Sequence, residues 1–262
     1  ITDGIEACDG DPCAVSRALQ ANHVVVKPFI IGIGLDEQYK ETFRCVGNYF
    51  DATNQADFAE VLAEVRAARP GLPVFAVGHS MGGGVALAAL GEGRARPDGL
   101  VLMAPAVWGG DSLSPLLRAA AWGAAQLFPD TRFSRADSPV RLLPTDNMER
   151  LVEISRDPLR FADPSPREFM GLIRLMDRAV AAAPEAEAPM LVMVGAHDEI
   201  IPERSVRRVY EALPGPKRYA RMPEGWHMLP IDRAREAAID RAGDWMLERA
   251  AEAAPETERG AG

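Results

Sequence analysis

One stretch decides the fold of this chain, residues 73–90, which read PVFAVGHSMGGGVALAAL. Its first five residues are apolar, as is typical of a short strand buried on both faces of a parallel sheet. Its last six residues are small or apolar and favour a helix that packs closely on its neighbours. Between the two lies Gly78-His79-Ser80-Met81-Gly82. The pattern therefore predicts a strand, a sharp turn at Ser80 and then a helix.

The same alternation of strands and helices continues on both sides of this stretch. Apolar runs predict further strands at 23–31, 99–103 and 190–194, and a shorter strand is predicted at 217–222, ending at Pro223. Helical spacing predicts helices at 57–68 and 232–250. Strands that alternate with helices form a parallel sheet covered on both faces. The 262 residues therefore predict a single α/β domain with a doubly wound, mostly parallel sheet.

The alternation stops between Val107 and Pro189. This stretch is too long for a simple crossover, and it contains segments with helical patterns at 116–127, 147–155 and 166–182. Ligands of such folds bind beyond the carboxyl ends of the strands. We therefore expect residues 108–185, approximately, to form a helical cap over that edge, with Trp108 contacting the substrate.

The two ends of the chain differ from its body. Residues 1–50 contain all three cysteines and two of the three lysines, but only two arginines, and form an atypical segment. The cysteines lack the spacing of a disulfide framework or a zinc site and are expected to be free thiols. Residues 255–262 are polar and are expected to form a disordered tail.

Charge and hydropathy exclude several classes of partner. The net charge of −9 argues against nucleic acid and against tight docking on anionic lipid, but leaves transient contact with a neutral lipid surface open. No run of about 18 apolar residues predicts a membrane span, and no signal peptide is recognised. The expected location is the cytoplasm, and nothing in the sequence indicates an oligomeric state.

The turn at Ser80 carries the chemistry. A serine in G-x-S-x-G, between a strand and a helix, is exposed at the top of the sheet beside a helix N-terminus that favours negative charge. We therefore predict that Ser80 is a nucleophile and that the Met81 amide stabilises an oxyanion. A structural turn serine is the alternative interpretation.

A serine hydroxyl needs a base, and the base needs an orienting acid. His227 follows the last predicted strand, where the chain order Ser…Asp…His places the base. Asp198 follows strand 190–194 and is the predicted acid; Glu199 fits less well because an apolar run comes directly after it. The remaining histidines are interpreted as structural or surface residues: His23, His79 and His197.

Together these motifs resemble the monoacylglycerol lipase and lysophospholipase group of α/β-hydrolases, which includes serine aminopeptidase-type hydrolases. The resemblance covers about 56–248 and is carried by GHSMGG at 78–83, by GAHDEIIP at 195–202, by GWH at 225–227 and by APAVWG at 104–109. It implies Ser80, Asp198 and His227 as a catalytic triad. It also implies an acyl ester as substrate, such as a monoacylglycerol or lysophospholipid, an acyl-enzyme intermediate, and no metal or other cofactor.

The sequence departs from that group at the second oxyanion donor. The group carries a His-Gly loop for this purpose, and no His-Gly pair occurs here; Gly32-Ile33-Gly34 is the one glycine-rich turn after an early strand. Loss of one such donor typically costs about 10²–10³ in rate, so the sequence favours a feeble enzyme over a turn that completes the hole. The alternatives are another activity on this fold, such as a peptidase or haloperoxidase, and a catalytically impaired binding protein.

Overall fold

The computed structural model describes residues 29–32, 48–51, 55–109, 113–132, 142–156 and 164–253. The strands are β1 Phe29–Gly32, β2 Asn48–Asp51, β3 Phe75–His79, β4 Gly99–Met103, β5 Met190–Gly195 and β6 Lys217–Met222. The helices are α1 Gln55–Ala68, α2 Met81–Gly91, α3 Pro115–Leu127, α4 Met148–Arg156, α5 Pro166–Ala182, α6 Glu203–Ala212 and α7 Arg235–Ala253. A 3₁₀ turn, Ala183–Glu185, follows α5.

The predicted parallel sheet is confirmed. Strands β3, β4, β5 and β6 lie side by side in that order, and every neighbouring pair is parallel. The register places Gly78 opposite Leu102 and Leu102 opposite Val192. Strands β1 and β2 pair with each other, also in parallel. The carboxyl ends of β3, β4 and β5 therefore lie at one edge, where loops from all three strands can meet.

Side chains on the two faces of the sheet enter two different cores, as a doubly wound arrangement requires. In β4 and β5, Leu100, Leu102 and Val192 pack with residues of α1, α2 and α6. Their immediate neighbours Val101 and Leu191 pack with α7 on the opposite face. Because both faces are covered, every residue of these two strands is buried, which explains their continuous apolar sequences.

The insertion between β4 and β5 contains the three predicted helices, which the structure assigns to α3, α4 and α5. A bidentate ion pair, with Arg118 nitrogens 2.6 and 2.7 Å from the Asp177 carboxylate oxygens, joins α3 to α5. The last turns of α5 reach the main core, where Ala179 and Ala183 are fully buried. Helix α5 therefore anchors the insertion beside α2; that the insertion acts as a cap stays a proposal.

Several boundaries differ from those that the sequence predicted. The strand expected at 73–77 runs over Phe75–His79, because the Val74 amide donates to the Asp98 carboxylate and the ladder begins at Phe75. The sequence analysis did not predict β2 or α6, and α7 begins three residues later than expected. Helix α6 buries Val206 and Val209, which lie one turn apart.

Some expectations fall on residues outside the described ranges. They are the strand at 23–28, the three cysteines, most of the atypical segment at 1–50 and the tail at 255–262. None of the helices in the described part of the chain is long and apolar enough to cross a membrane.

Candidate active site

Ser80 occupies a strained turn between β3 and α2. Its φ of 48° and ψ of −117° lie where residues other than glycine are rarely found. Hydrogen bonds from both sides hold this conformation: the Ser80 amide donates to the Met103 carbonyl at 3.0 Å, and the Ser80 carbonyl accepts from Gly84 at 3.2 Å and from Ala106 at 2.8 Å. The end of β4 and the residues after it therefore fix the serine.

Close contacts require glycine at the first position of the motif and at the residue directly after it. A Cβ at Gly78 would lie 2.7 Å from the Gly82 carbonyl oxygen and 2.7 Å from the Gly83 Cα. A Cβ at Gly83 would lie 2.9 Å from the Pro105 Cβ. Backbone atoms cannot retreat from the contacts at Gly78 without unwinding the turn, so the first glycine of G-x-S-x-G, and Gly83 directly after the motif, follow from the packing around Ser80.

The three residues predicted to form a triad lie in contact. His227 Nε2 is 2.9 Å from Ser80 Oγ, and His227 Nδ1 is 2.9 Å from Asp198 Oδ2. The side chains of His227 and Asp198 are only 6% and 4% exposed. Charge interactions are strong where water is excluded, so this carboxylate can hold the imidazole with its proton on Nδ1 and its lone pair facing the serine.

The backbone orients the Asp198 carboxylate. Its second oxygen, Oδ1, accepts hydrogen bonds from the amides of Ile200 at 2.8 Å and Ile201 at 2.9 Å. Glu199 points elsewhere, and its Oε2 accepts from the Leu143 amide at 2.7 Å. The geometry therefore agrees with the choice of Asp198 over Glu199, because the amides of Ile200 and Ile201 bind the Asp198 carboxylate.

The loop that carries His227 packs directly on the loop that carries Asp198. The His197 amide donates to the Gly225 carbonyl at 2.9 Å. A Cβ at Gly195 would overlap the Trp226 carbonyl oxygen, and a Cβ at Gly225 would lie 3.2 Å from the Gly195 Cα. Gly195 and Gly225, one in each loop, therefore allow the loop of the acid and the loop of the base to approach each other closely.

The other two histidines of the described residues, His79 and His197, contact groups other than Ser80 Oγ. His79 Nε2 lies 2.8 Å from the carbonyl oxygen of His227, so it binds the backbone of the base, in keeping with a structural role. The ring of His197 stacks on Trp226 with a centroid separation of 5.4 Å. His23 lies outside the described residues.

Met81 begins α2, so its amide is one of the four that have no carbonyl partner within the helix. It lies directly after Ser80, at the end of the helix where the backbone dipole favours negative charge. Gly32 ends β1, while Ile33 and Gly34 lie outside the described residues. The second oxyanion donor, and with it the expectation of a feeble enzyme, therefore stays a prediction.

Trp108 lies in the segment that follows β4, two residues after the amide of Ala106 that binds Ser80. Its ring is half-buried and packs against both the main core and the core of the insertion. Its role in substrate binding stays a proposal. Among the described residues, no group of three or more His, Cys, Asp or Glu side chains is placed to hold a metal ion.

Sequence reasoning missed one buried acid at this site. Asp232, five residues after His227, is 1% exposed, and its Oδ2 accepts from the Trp226 amide at 2.7 Å. Nothing in the local sequence distinguishes it from an exposed acid. It lies between apolar Ile231 and charged Arg233, and only the closing of the loop buries it.

Comparison with known proteins agrees with this geometry. Residues 47–234 match the model of the hydrolase family described as serine aminopeptidase, S33. The chain belongs to this family. It is 27% identical over 200 residues to the monoacylglycerol lipase of Mycolicibacterium smegmatis, covering 73% of this chain and 68% of that one. It is 26% identical over 188 residues to the monoglyceride lipase of Rattus norvegicus, covering 70% and 61%.

Solved structures share the fold. The crystal structure of Paleococcus ferrophilus monoacylglycerol lipase matches with a TM-score of 0.61 at 20% identity, covering 84% of this chain and 93% of that one. A soluble variant of the Saccharomyces cerevisiae monoglyceride lipase, in complex with a substrate analogue, matches with a TM-score of 0.62 at 18% identity, covering 85% of each.

These matches confirm the resemblance to the monoacylglycerol lipase group and the α/β-hydrolase fold. The aligned region spans between 50% and 68% of the length of the curated relatives.

Proposed function

We propose that this member of the serine aminopeptidase-type hydrolase family cleaves carboxylic esters through an acyl-enzyme on Ser80. One observation carries the proposal: the continuous hydrogen-bonded series from Ser80 Oγ through His227 to Asp198, with both separations at 2.9 Å. A serine that accidentally occupied a turn would need neither a buried base nor a buried acid behind that base.

The reaction follows from the positions of these groups. Ser80 Oγ attacks the ester carbonyl carbon while His227 Nε2 takes the hydroxyl proton, and the carbonyl oxygen becomes an oxyanion beside the Met81 amide. The tetrahedral intermediate collapses as His227 returns the proton to the leaving alcohol. A water molecule then attacks the acyl-enzyme with the same base, which releases the acid and restores Ser80.

We infer that the substrate carries an acyl chain, as a monoacylglycerol or lysophospholipid does. The names of the relatives support this class, and so does the apolar character of the insertion that we propose as a cap. Leu117 and Ala121 of α3 and Phe169 of α5 line an apolar groove between these helices. Trp108 is our candidate for the residue that contacts the acyl chain where it enters the site beside the nucleophile.

Helix α3 also presents apolar side chains to solvent. Leu116 is 81% exposed, and Trp122, Leu127 and Phe128 are all more than half exposed. A monoacylglycerol in water is held mainly in lipid aggregates, so an exposed apolar helix supports the proposal of transient contact with a neutral lipid surface. A larger fraction of the wild-type chain than of the Trp122→Ser variant should co-sediment with phosphatidylcholine vesicles. Equal fractions would contradict this contact.

The proposed function is tested with a fluorophosphonate probe and a substrate panel. The wild-type chain should be labelled at Ser80 and should hydrolyse p-nitrophenyl butyrate, whereas Ser80→Ala should do neither while remaining folded. A matched panel of aminoacyl p-nitroanilides distinguishes a peptidase, which would cleave these amides in preference to esters. A chain that takes up no label would instead indicate the catalytically impaired binding protein.

A further inference from the structure

The loop between β6 and α7 holds His227 inside a closed ring of residues 226–232. Asp232 Oδ2 accepts from the Trp226 amide at 2.7 Å, and the amides of Asp232 and Ile231 both donate to the Met228 carbonyl, at 3.0 and 2.8 Å. The amide that Asp232 binds belongs to the residue directly before the base. A shift of the Asp232 side chain therefore moves the backbone of His227.

A second segment locks this ring from outside. We call residues 142–147, which lead into α4, the strap. The Pro144 carbonyl accepts from the Met228 amide at 2.9 Å, the Asn147 side-chain amide donates to the Ile231 carbonyl at 2.9 Å, and Asp146 Oδ1 accepts from the Arg233 amide at 2.9 Å. The strap thus binds Met228, directly after the base, and Arg233, directly after Asp232.

The strap also reaches the loop of the catalytic acid. The Leu143 amide donates to Glu199 Oε2 at 2.7 Å, next to Asp198 in the chain. The same six residues therefore join the loop of the base to the loop of the acid. Asp232 lies where the ring and the strap meet.

The environment of Asp232 is built for a buried carboxyl group. Thr145 is fully buried, and its Oγ1 accepts from the Asn147 amide at 3.1 Å, which leaves its hydroxyl proton free to face Asp232. Asp232 Oδ1 has no partner at hydrogen-bonding geometry among the described residues, although Thr145 lies close enough to lower the pKa of this carboxyl.

Two ionisable groups influence Asp232, Asp146 from the strap and His227 from the ring. Burial raises the pKa of Asp232, Thr145 and the Trp226 amide lower it, the neighbouring Asp146 raises it, and His227 lowers it. Asp198 contacts His227 directly, through Nδ1.

We propose that Asp232 is a positioning residue for the general base, and that its carboxylate closes the 226–232 ring so that His227 Nε2 stays within hydrogen-bonding distance of Ser80. The role rests on the proposed function, since it concerns the same base. A misplacement of about 1 Å at a reacting group can cost 10²-fold in rate, so an interaction one residue from the base has a large effect.

Two substitutions separate the hydrogen bond from the charge. Asp232→Asn keeps an oxygen that can accept from the Trp226 amide, whereas Asp232→Ala removes every acceptor. Asp244, exposed on α7, provides the control through Asp244→Ala and Asp244→Asn. Rates are taken per folded and active molecule, with folding checked by circular dichroism and active sites counted with the fluorophosphonate probe.

The expected result is a fall in kcat of about 10- to 100-fold for Asp232→Ala, with KM unchanged and a matching fall in the labelling rate of Ser80. Asp232→Asn should recover kcat to within about threefold, because its amide oxygen can still accept from the Trp226 amide. Neither Asp244 variant should differ from the wild type. A role in folding alone would leave kcat per folded molecule unchanged.

Three outcomes would overturn the proposal: wild-type kcat in Asp232→Ala, an equal loss in both Asp232 variants, or a change confined to KM. The failure of the proposed function looks different, since the wild-type chain would then neither label at Ser80 nor hydrolyse any ester, and this role of Asp232 would fall with it.

Discussion

Replacing Asp198 by asparagine tests the catalytic arrangement most directly, because the structure dictates which way the new amide must face. Asp198 Oδ1 accepts two backbone amides, from Ile200 and Ile201, and Oδ2 faces His227 Nδ1. Asparagine offers one oxygen. If its NH₂ faced the two amides, both would lose their acceptor, at about 1–3 kcal/mol for each buried group. The oxygen therefore takes the Oδ1 position and the NH₂ faces His227.

That orientation reverses the tautomer of the base. His227 Nδ1 must accept from the new NH₂, so the ring proton moves to Nε2, which then presents a hydrogen to Ser80 Oγ where a lone pair is needed. A wrong tautomer lowers kcat by about 10⁴ in enzymes of this mechanism. At 1.36 kcal/mol for each factor of ten, the expected loss of transition-state stabilisation is about 5.4 kcal/mol.

Hydrolysis of p-nitrophenyl butyrate measures this loss, and Glu199→Gln is the matched control. The Glu199 carboxylate accepts a hydrogen bond from the Leu143 amide, which a glutamine oxygen can also accept, so kcat/KM should stay within about threefold of the wild type. If Asp198→Asn keeps more than a tenth of the wild-type kcat, or if Glu199→Gln loses as much, the tautomer reasoning is refuted.

Three further predictions concern other parts of the molecule. Ser165→Ala removes the hydroxyl that accepts from the Glu168 amide at the start of α5, and should lower the free energy of unfolding in urea by about 0.5–2 kcal/mol. An unchanged midpoint of urea unfolding would contradict the role of Ser165 as the N-cap of this helix. Because burial raises the pKa of Asp232, the folded chain takes up this proton at a higher pH than the unfolded chain does. The associated stability is full below the unfolded value of about 3.9 and is lost as the pH rises through the raised folded value, above which Asp232 is the carboxylate of the proposal. The free energy of unfolding of the wild type relative to Asp232→Asn should therefore fall over that window, and parallel pH profiles would disprove the shift. For esters from acetate to octanoate, kcat/KM should rise by roughly 0.8 kcal/mol of transition-state binding for each methylene that is buried, and then level off; a flat series would argue against an acyl pocket.

Local patterns in the sequence determined the strand, turn and helix around Ser80 and the places in the chain where base and acid occur. The buried strands β4 and β5 are continuous apolar runs because helices cover both faces of the sheet, so hydropathy alone reveals them. The requirement for Gly78 is equally local, since it is constrained by atoms only four and five residues away. Helix α5 has the bounds that its helical pattern predicted, because that pattern lies within the segment itself.

Tertiary structure alone decided which of these residues meet, and which other residues hold them. Ser80 and His227 are 147 residues apart, and their contact depends on the order of strands across an insertion whose path no local pattern specifies. The same holds for the bond between Leu143 and Glu199, and for Asp232, which resembles a surface acid until its loop closes. Periodicity reports which face of a segment is apolar, but a hydrogen bond between two loops depends on where each loop lies, and that position is fixed only when the whole sheet is assembled.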